Sequence, residues 1–238
     1  MESNTGKLYL IPTRLGDNPP LEVLPISVKK IVENVDDYIV ENEKVARRFI
    51  KRICPKKSQS SLTIRVLNKY TEDFETADFL DACKSGKPMG LLSDAGCPGI
   101  ADPGAEIVKL AHQSNIEVVP LVGPSSILLA LMASGMNGQS FAFNGYLPID
   151  SKERRNSLKR LEKLSLEHNQ SQLFIETPYR NNKILEDMLS VLSGNTRICI
   201  ACDITLPTEY IKTKTVNEWK KIKIDLHKRP SIFIIHKQ

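Results

Sequence analysis

The stretch Ser93-Asp94-Ala95-Gly96-Cys97-Pro98-Gly99-Ile100-Ala101-Asp102-Pro103-Gly104 decides the fold of this 238-residue chain. It follows a predicted buried strand at 89–93 and precedes a predicted helix at 105–114, so it lies at the carboxyl end of a strand. Open α/β sheets bind their ligands at this end. Asp102 fits a helix N-cap, with Pro103 at the first helical position. The stretch contains more glycine and proline than a turn requires, which indicates a ligand-binding loop.

Outward from this loop, segments rich in aliphatic and β-branched residues alternate with amphipathic segments. This alternation predicts an α/β protein with a largely parallel sheet and crossover helices. A Gly-Pro turn after Val122 marks the predicted junction between an N-terminal domain at 1–122 and a C-terminal domain at 123–238. Strands are predicted at 7–12, 37–40, 63–68, 89–93, 116–122, 140–145, 173–176, 197–204 and 231–236, and helices at 21–34, 44–53, 75–84, 105–114, 125–134, 152–166, 182–192 and 216–221.

Composition and motifs narrow the class of protein. The net charge is +5 and the second half is the more cationic, which is compatible with an anionic partner. The odd number of cysteines and the lack of an export signal predict free thiols in the cytoplasm, and no apolar run is long enough to span a membrane. Neither G-x-G-x-x-G nor G-x-x-x-x-G-K-[ST] occurs, so the sequence lacks the motifs that usually indicate binding of NAD or ATP. Cys199 and Cys202 spell C-x-x-C within a predicted strand, where they point to opposite faces, and no metal site is expected.

Five ordered segments together resemble the ribosomal RNA small-subunit methyltransferase I family, within the tetrapyrrole (corrin/porphyrin) methylase superfamily. The resemblance spans nearly the whole chain. Besides the loop at 93–104, the segments are Leu8-Tyr9-Leu10-Ile11-Pro12-Thr13 followed by Gly16, Val119-Pro120-Leu121-Val122-Gly123-Pro124-Ser125-Ser126, Phe143-Asn144-Gly145-Tyr146-Leu147-Pro148, and Glu176-Thr177-Pro178-Tyr179-Arg180.

The resemblance implies the fold of a class III S-adenosylmethionine methyltransferase. The N-terminal domain would hold a mostly parallel sheet, the C-terminal domain a mixed sheet, and the folded cofactor would lie in a trough between them. It also implies a cytoplasmic homodimer. Ser125 and Ser126 open a helix whose N-terminus favours an anion such as the methionine carboxylate. The implied cofactor-binding residues are Pro12, Asp94, Gly96, Ile100, Ser125, Ser126, Thr177 and Pro178.

The family also implies an acceptor, a ribose 2′-hydroxyl of small-subunit ribosomal RNA, with rRNA or the small ribosomal subunit as partner. Such a hydroxyl needs a general base. Glu41 is the candidate, because it ends a strand and matches the family's Glu; Glu43, Glu176 and Asp94 are alternatives. The family has Glu-Asp-Thr-Arg where this chain has Glu41-Asn42-Glu43-Lys44. This departure keeps two other functions open: methylation of a small molecule such as a corrinoid or porphyrin precursor, and a non-catalytic cofactor- or RNA-binding paralogue.

Two predicted helices carry basic residues at helical spacing, which suits contacts to RNA phosphates. The same pattern is typical of a solvated helix face. The residues are Arg47, Arg48, Lys51 and Arg52 on the first helix, and Lys152, Arg154, Arg155, Lys159, Arg160 and Lys163 on the second.

Overall fold

The computed structural model of the protein describes residues 5–68, 71 and 78–238. Its contacts divide the chain into two compact units, Met1–Ser125 and Ser126–Gln238. The division falls three residues after the junction expected from the Gly-Pro turn. Each unit contains one five-stranded sheet and its own hydrophobic core.

The first unit is built on a fully parallel sheet with the strand order β3-β2-β4-β1-β5. One apolar cluster packs helices α1 and α2 on one face of the sheet, and a second packs α3 and α4 on the other. Burial on both faces explains why the three central strands, β2, β4 and β1, are mostly apolar. In chain order the elements are β1 Lys7–Ile11, α1 Ile26–Asn34, β2 Asp37–Val40, α2 Glu43–Ile53, β3 Thr63–Val66, α3 Asp81–Lys84, β4 Met89–Leu92, α4 Gly104–Gln113 and β5 Glu117–Pro120.

The second unit contains a mixed sheet with the strand order β6-β7-β10-β8-β9. Only β6 and β7 pair in parallel, and the other three pairs are antiparallel. Trp219, the single tryptophan of the chain, is buried in the core of this unit, and its indole N–H donates to the Ile198 carbonyl at 2.9 Å. The elements are α5 Ser126–Ser134, β6 Phe141–Tyr146, α6 Ser151–His168, β7 Ser171–Ile175, α7 Asn181–Val191, β8 Arg197–Cys202, β9 Tyr210–Thr215, α8 Val216–Trp219 and β10 Ser231–His236.

The expected parallel and mixed sheets are confirmed, but three element predictions need correction. The helix predicted at 21–34 is broken into a short 3-10 turn at Pro20–Glu22 and α1, because Pro25 holds extended backbone before the helix. The helix predicted at 75–84 is described only as α3, and 75–77 lie outside the described residues. Strand β9 was missed, although Tyr210–Thr215 pairs along its whole length with β8.

Candidate functional site

The strand order of the first unit creates a crevice at one edge of its sheet. Strands β2 and β4 are parallel neighbours, so their carboxyl ends lie side by side. The chain leaves β2 toward β3 on one side and leaves β4 toward β5 on the other. Ligands of open α/β sheets bind where connections diverge in this way. Glu41 directly follows β2 and Asp94 closely follows β4, so the topology brings both carboxylates to this point.

Glu41 and Asp94 are in direct contact. The backbone N–H of Asp94 donates to Oε2 of Glu41 at 3.1 Å, although the residues are 53 positions apart in the chain. Glu41 also borders, with Asp102, a small cavity of ≈ 10 Å³, about the room that one water needs. Partial burial and, secondarily, Glu41 raise the pKa of the Asp94 carboxyl. Three carboxyl groups thus gather at the crevice, an arrangement typical of proton-transfer sites.

The glycine-rich loop is folded around Asp102. Its Oδ1 accepts the backbone N–H groups of Gly99 and Gly104, each at 2.8 Å. Burial raises the pKa of the Asp102 carboxyl, these two hydrogen bonds oppose the rise, and Glu41 adds to it. The expected capping role needs correction by one residue: α4 begins at Gly104 and its N-cap is Pro103, while Asp102 bonds the first helical N–H from one position earlier. Its second hydrogen bond, from the Gly99 N–H, means that Asp102 links two separate parts of the loop backbone.

The end of β1 holds the same loop from the neighbouring strand. The backbone N–H of Thr13 donates to the Gly96 carbonyl at 2.9 Å, and the Thr13 hydroxyl donates to the Ser93 carbonyl at 3.3 Å. Gly96 has φ +77°, a conformation that favours glycine. Pro12 packs so closely on Gly123 that a Cβ there would lie 2.2 Å from the proline ring. Pro12, Asp94 and Gly96 are therefore held together at one edge of the first unit.

The other predicted cofactor residues have separate surroundings. Ile100 is 54% exposed in the loop. Ser126 is the first residue of α5 and belongs to the second unit, and Ser125 directly precedes it.

Thr177 and Pro178 lie in the second unit, after β7. The Thr177 N–H donates to Oε1 of Glu176 at 2.6 Å, and the Pro178 carbonyl accepts the Lys228 N–H at 3.0 Å. That these two residues share one cofactor with Asp94 stays a prediction.

Two alternative general bases are already engaged elsewhere. Glu176 is buried, and its Oε1 accepts Nε of Arg180 at 2.9 Å and a second guanidinium nitrogen at 2.5 Å. Glu43 accepts Nε of Arg47 at 2.8 Å one turn along α2. Glu41 forms no ion pair with the cations of the described residues, so its carboxylate is the better placed to accept a proton.

The two basic helices are only partly available to a partner. On α6, Arg154 is 4% exposed and bonds Asp187 of α7, which also binds Arg155 at 2.9 Å. The prediction that Arg154 contacts RNA is therefore wrong, because its charge is buried and neutralised by Asp187 inside the second unit. Five lysine and arginine residues stay exposed on α6, although one of them, Arg155, is paired with Asp187: Lys152, Arg155, Lys159, Arg160 and Lys163.

On α2 the structure separates the basic residues by their contacts. Arg47 is held by Glu43 and by the Gln59 carbonyl, and Lys51 donates to the Pro55 carbonyl at 2.8 Å. Arg48 instead borders a cleft beside Asp94. Arg14 borders the same cleft from the other side, a residue that the sequence analysis missed. Its signal was a basic side chain directly after Pro12 and Thr13, which follow β1.

Within residues 5–68, 71 and 78–238, no group of three His, Cys, Asp or Glu side chains could hold a metal ion. In the same part of the chain, no helix is long and apolar enough to cross a membrane.

Comparison with known proteins identifies the family. The sequence model of the tetrapyrrole (corrin/porphyrin) methylases matches residues 7–220. The ribosomal RNA small subunit methyltransferase I of Vibrio cholerae is 32% identical over 205 residues, which are 86% of this chain and 67% of that protein. Its namesake from Thermotoga maritima is 32% identical over 210 residues and 88% of either chain. The solved methyltransferase CobJ shares the fold, with a TM-score of 0.64 at 16% identity over 98% of this chain and 95% of that one. This chain therefore belongs to the tetrapyrrole (corrin/porphyrin) methylase family and is an S-adenosylmethionine-dependent methyltransferase.

Proposed function

We propose that this protein methylates a ribose 2′-hydroxyl of small-subunit ribosomal RNA. The observation that carries the proposal is the position of the Glu41 carboxylate. It lies at the crevice between the carboxyl ends of β2 and β4 and accepts the backbone N–H of Asp94 in the glycine-rich loop. The names of the relatives support rRNA as the acceptor. The exposed basic residues of α6 and the positive net charge also suit an anionic polymer.

The residues present fit a folded S-adenosylmethionine. Gly96 and Gly99 adopt positive φ, so the loop follows a backbone path that other residues rarely adopt. Ser126 begins a nine-residue helix whose N-terminus favours a carboxylate. The residues proposed to bind the cofactor are Pro12, Asp94, Gly96, Ile100, Ser125, Ser126, Thr177 and Pro178.

When bound, S-adenosylmethionine supplies the methyl group from a sulfonium, so the protein must mainly align donor and acceptor in line. Pro12, Gly96 and the N-terminus of the helix that begins at Ser126 would hold this cofactor, which would supply its methyl group to the ribose oxygen and leave as the thioether. The hydroxyl proton passes to Glu41, and the adjacent Asp94 and Asp102 carboxyls raise the local negative potential that favours this transfer.

The test of the acceptor is tritium transfer from labelled S-adenosylmethionine to 30S subunits from a strain that lacks this protein. We expect label in rRNA that maps to one ribose. Label recovered only in added porphyrin or corrinoid precursors would overturn the RNA acceptor in favour of a small molecule. Cofactor binding by calorimetry without any transfer would indicate a non-catalytic paralogue.

The role of Glu41 is tested by Glu41→Gln, which keeps the acceptor of the Asp94 N–H but removes the base. We expect kcat to fall by about 10²–10⁴, the usual contribution of a general base, with the Kd of the cofactor unchanged. Glu43→Gln is the matched control, because Glu43 is paired with Arg47 on α2. A Glu41→Gln enzyme of wild-type kcat would assign the proton to another group.

We further propose a cytoplasmic homodimer. Helix α5 exposes Leu128 and Met132, which are one turn apart and 51% and 78% exposed, an apolar surface that suits packing against a second copy. Light scattering coupled to size exclusion should give twice the 26.7 kDa chain mass. A monomer at micromolar concentration would contradict the dimer and leave the active site proposal intact.

A further inference from the structure

A cleft bordered by two arginines opens beside the crevice of the first unit. Its volume is ≈ 160 Å³, and three segments line it: the chain at 13–17 after β1, one face of α2, and Asp94 with Ala95. Pockets for whole small molecules usually measure about 300–1,000 Å³. This cleft is therefore large enough for one chemical group rather than for a whole small molecule. The side chains that line it indicate the chemistry of that group.

Two guanidinium groups, of Arg14 and Arg48, and two carboxyl groups, of Asp17 and Asp94, border this cleft. A third guanidinium group, of Arg52, lies just outside the lining and is bound to Asp17. The Arg14 side chain is 11% exposed, and it donates to the Asn18 carbonyl at 2.6 Å and to Asp17 at 3.0 Å. Asp17 itself is 78% exposed. Arg48 has no carboxylate within 4.0 Å among the described residues.

The neighbouring arginines make the charged form of Arg14 less favourable. Burial and the nearby charges of Arg52 and Arg48 lower the pKa of Arg14, and Asp17 only partly opposes them. Like charges held together in this way favour an added anion. Arg48 and Arg14 can donate several hydrogen bonds in a fixed planar geometry, which suits phosphate oxygens.

The cleft also has a defined position relative to the candidate base. Asp94 lines the cleft, and its backbone N–H donates to Glu41. An anion between Arg14 and Arg48 would therefore lie next to the group proposed to take the proton. Arg47 and Lys51 belong to the same helix but are committed to Glu43 and to the Pro55 carbonyl.

We propose that this cleft binds one backbone phosphate of the polynucleotide acceptor, through Arg48 and Arg14, and so positions the target ribose beside Glu41. The inference rests on the proposed RNA methylation and adds to it the site that aligns the substrate.

The experiment compares Arg48→Gln with Lys51→Gln, two single-charge removals on one helix. Methyl transfer to 30S subunits is measured as kcat/KM over a series of salt concentrations, with thermal midpoints as a folding check. We expect Arg48→Gln to lower kcat/KM about tenfold and to reduce the slope of log kcat/KM against log salt by about 0.7–0.9, the loss of one phosphate contact. Lys51→Gln should keep the wild-type values. An equal loss of kcat/KM in both variants, or no loss in Arg48→Gln, would refute phosphate binding at the cleft.

A second arm separates this inference from the proposed function. Fluorescence anisotropy measures binding of a labelled single-stranded ribohexanucleotide to the full chain. If the wild type methylates no RNA, the proposed function fails, yet binding that weakens about tenfold in Arg48→Gln and not in Lys51→Gln would still support the cleft. If the wild type methylates rRNA and Arg48→Gln binds the probe equally well, the cleft alone is refuted.

Discussion

At the scale of single residues, Asp102 decides the shape of the glycine-rich loop. One carboxylate oxygen bonds two backbone N–H groups on opposite sides of the loop, from Gly99 and Gly104. Neither N–H has a strand or helix partner nearby to replace it, because both lie where the loop turns. The side chain at 102 therefore fixes the backbone that is proposed to hold the cofactor.

Asp102→Ala leaves both N–H groups without their acceptor, while Asp102→Asn keeps a carbonyl oxygen at the same place. We expect Ala to lower the free energy of unfolding by about 1–3 kcal/mol, the cost of buried unsatisfied groups, and Asn to lower it less. Urea denaturation measures both. Equal stability of the Ala variant and the wild type would show that the loop is held by other contacts, such as the bond from Thr13 to Gly96.

At the scale of elements, helices α6 and α7 are joined by an ionic contact. Asp187 is fully buried and receives Arg154 and Arg155 from α6, while Arg154 also donates to the Ile149 carbonyl at 2.6 Å. The pKa of Asp187 is lowered, because the two arginines outweigh the effect of its burial. A lowered native pKa means that the carboxylate stabilises the fold at neutral pH, and that this contribution disappears as the pH falls below about 3.8.

Asp187→Asn removes the charge and leaves the Arg154 guanidinium buried without a counterion. We expect a loss of about 3–5 kcal/mol in the free energy of unfolding at pH 7. The loss should shrink when denaturation is repeated at pH 3, since the unfolded wild type then takes up a proton at Asp187 that the native state resists. Glu186→Gln, next along α7 and paired at the surface with Lys183, is the control and should cost less than about 1 kcal/mol. A pH-independent difference would refute the electrostatic origin.

The elements differ in how well the sequence predicted them. Strand β2 and strand β10 were predicted to the residue, because their apolar runs are short and bounded by polar residues or turns. Strand β9 was missed because its lysines alternate with threonines, and it is only half-buried. Such an outer strand gets its stability from pairing with β8 rather than from a hydrophobic pattern of its own.

At the scale of the whole molecule, the sequence predicted the class of each sheet but not what the strand order brings together. The contact of Glu41 with Asp94 depends on β2 lying beside β4, and nothing in the local sequence states that pairing. Arg14 was missed for the same reason, since its cleft exists only once β1, α2 and the glycine-rich loop are folded together. The shared cofactor trough remains a prediction, because it depends on the placement of two separately folded units.

The thiol of Cys97 gives the loop a property of practical use. The other four cysteines are buried, whereas Cys97 is half-buried and its thiol donates to the Pro124 carbonyl at 3.5 Å. Partial burial raises the pKa of this thiol, so alkylation will be slow at neutral pH and faster in mild alkali. A maleimide can reach this sulfur before the others, so the native chain offers one labelling position within the loop. The alkylation rate of Cys97 then measures how accessible the loop is in solution.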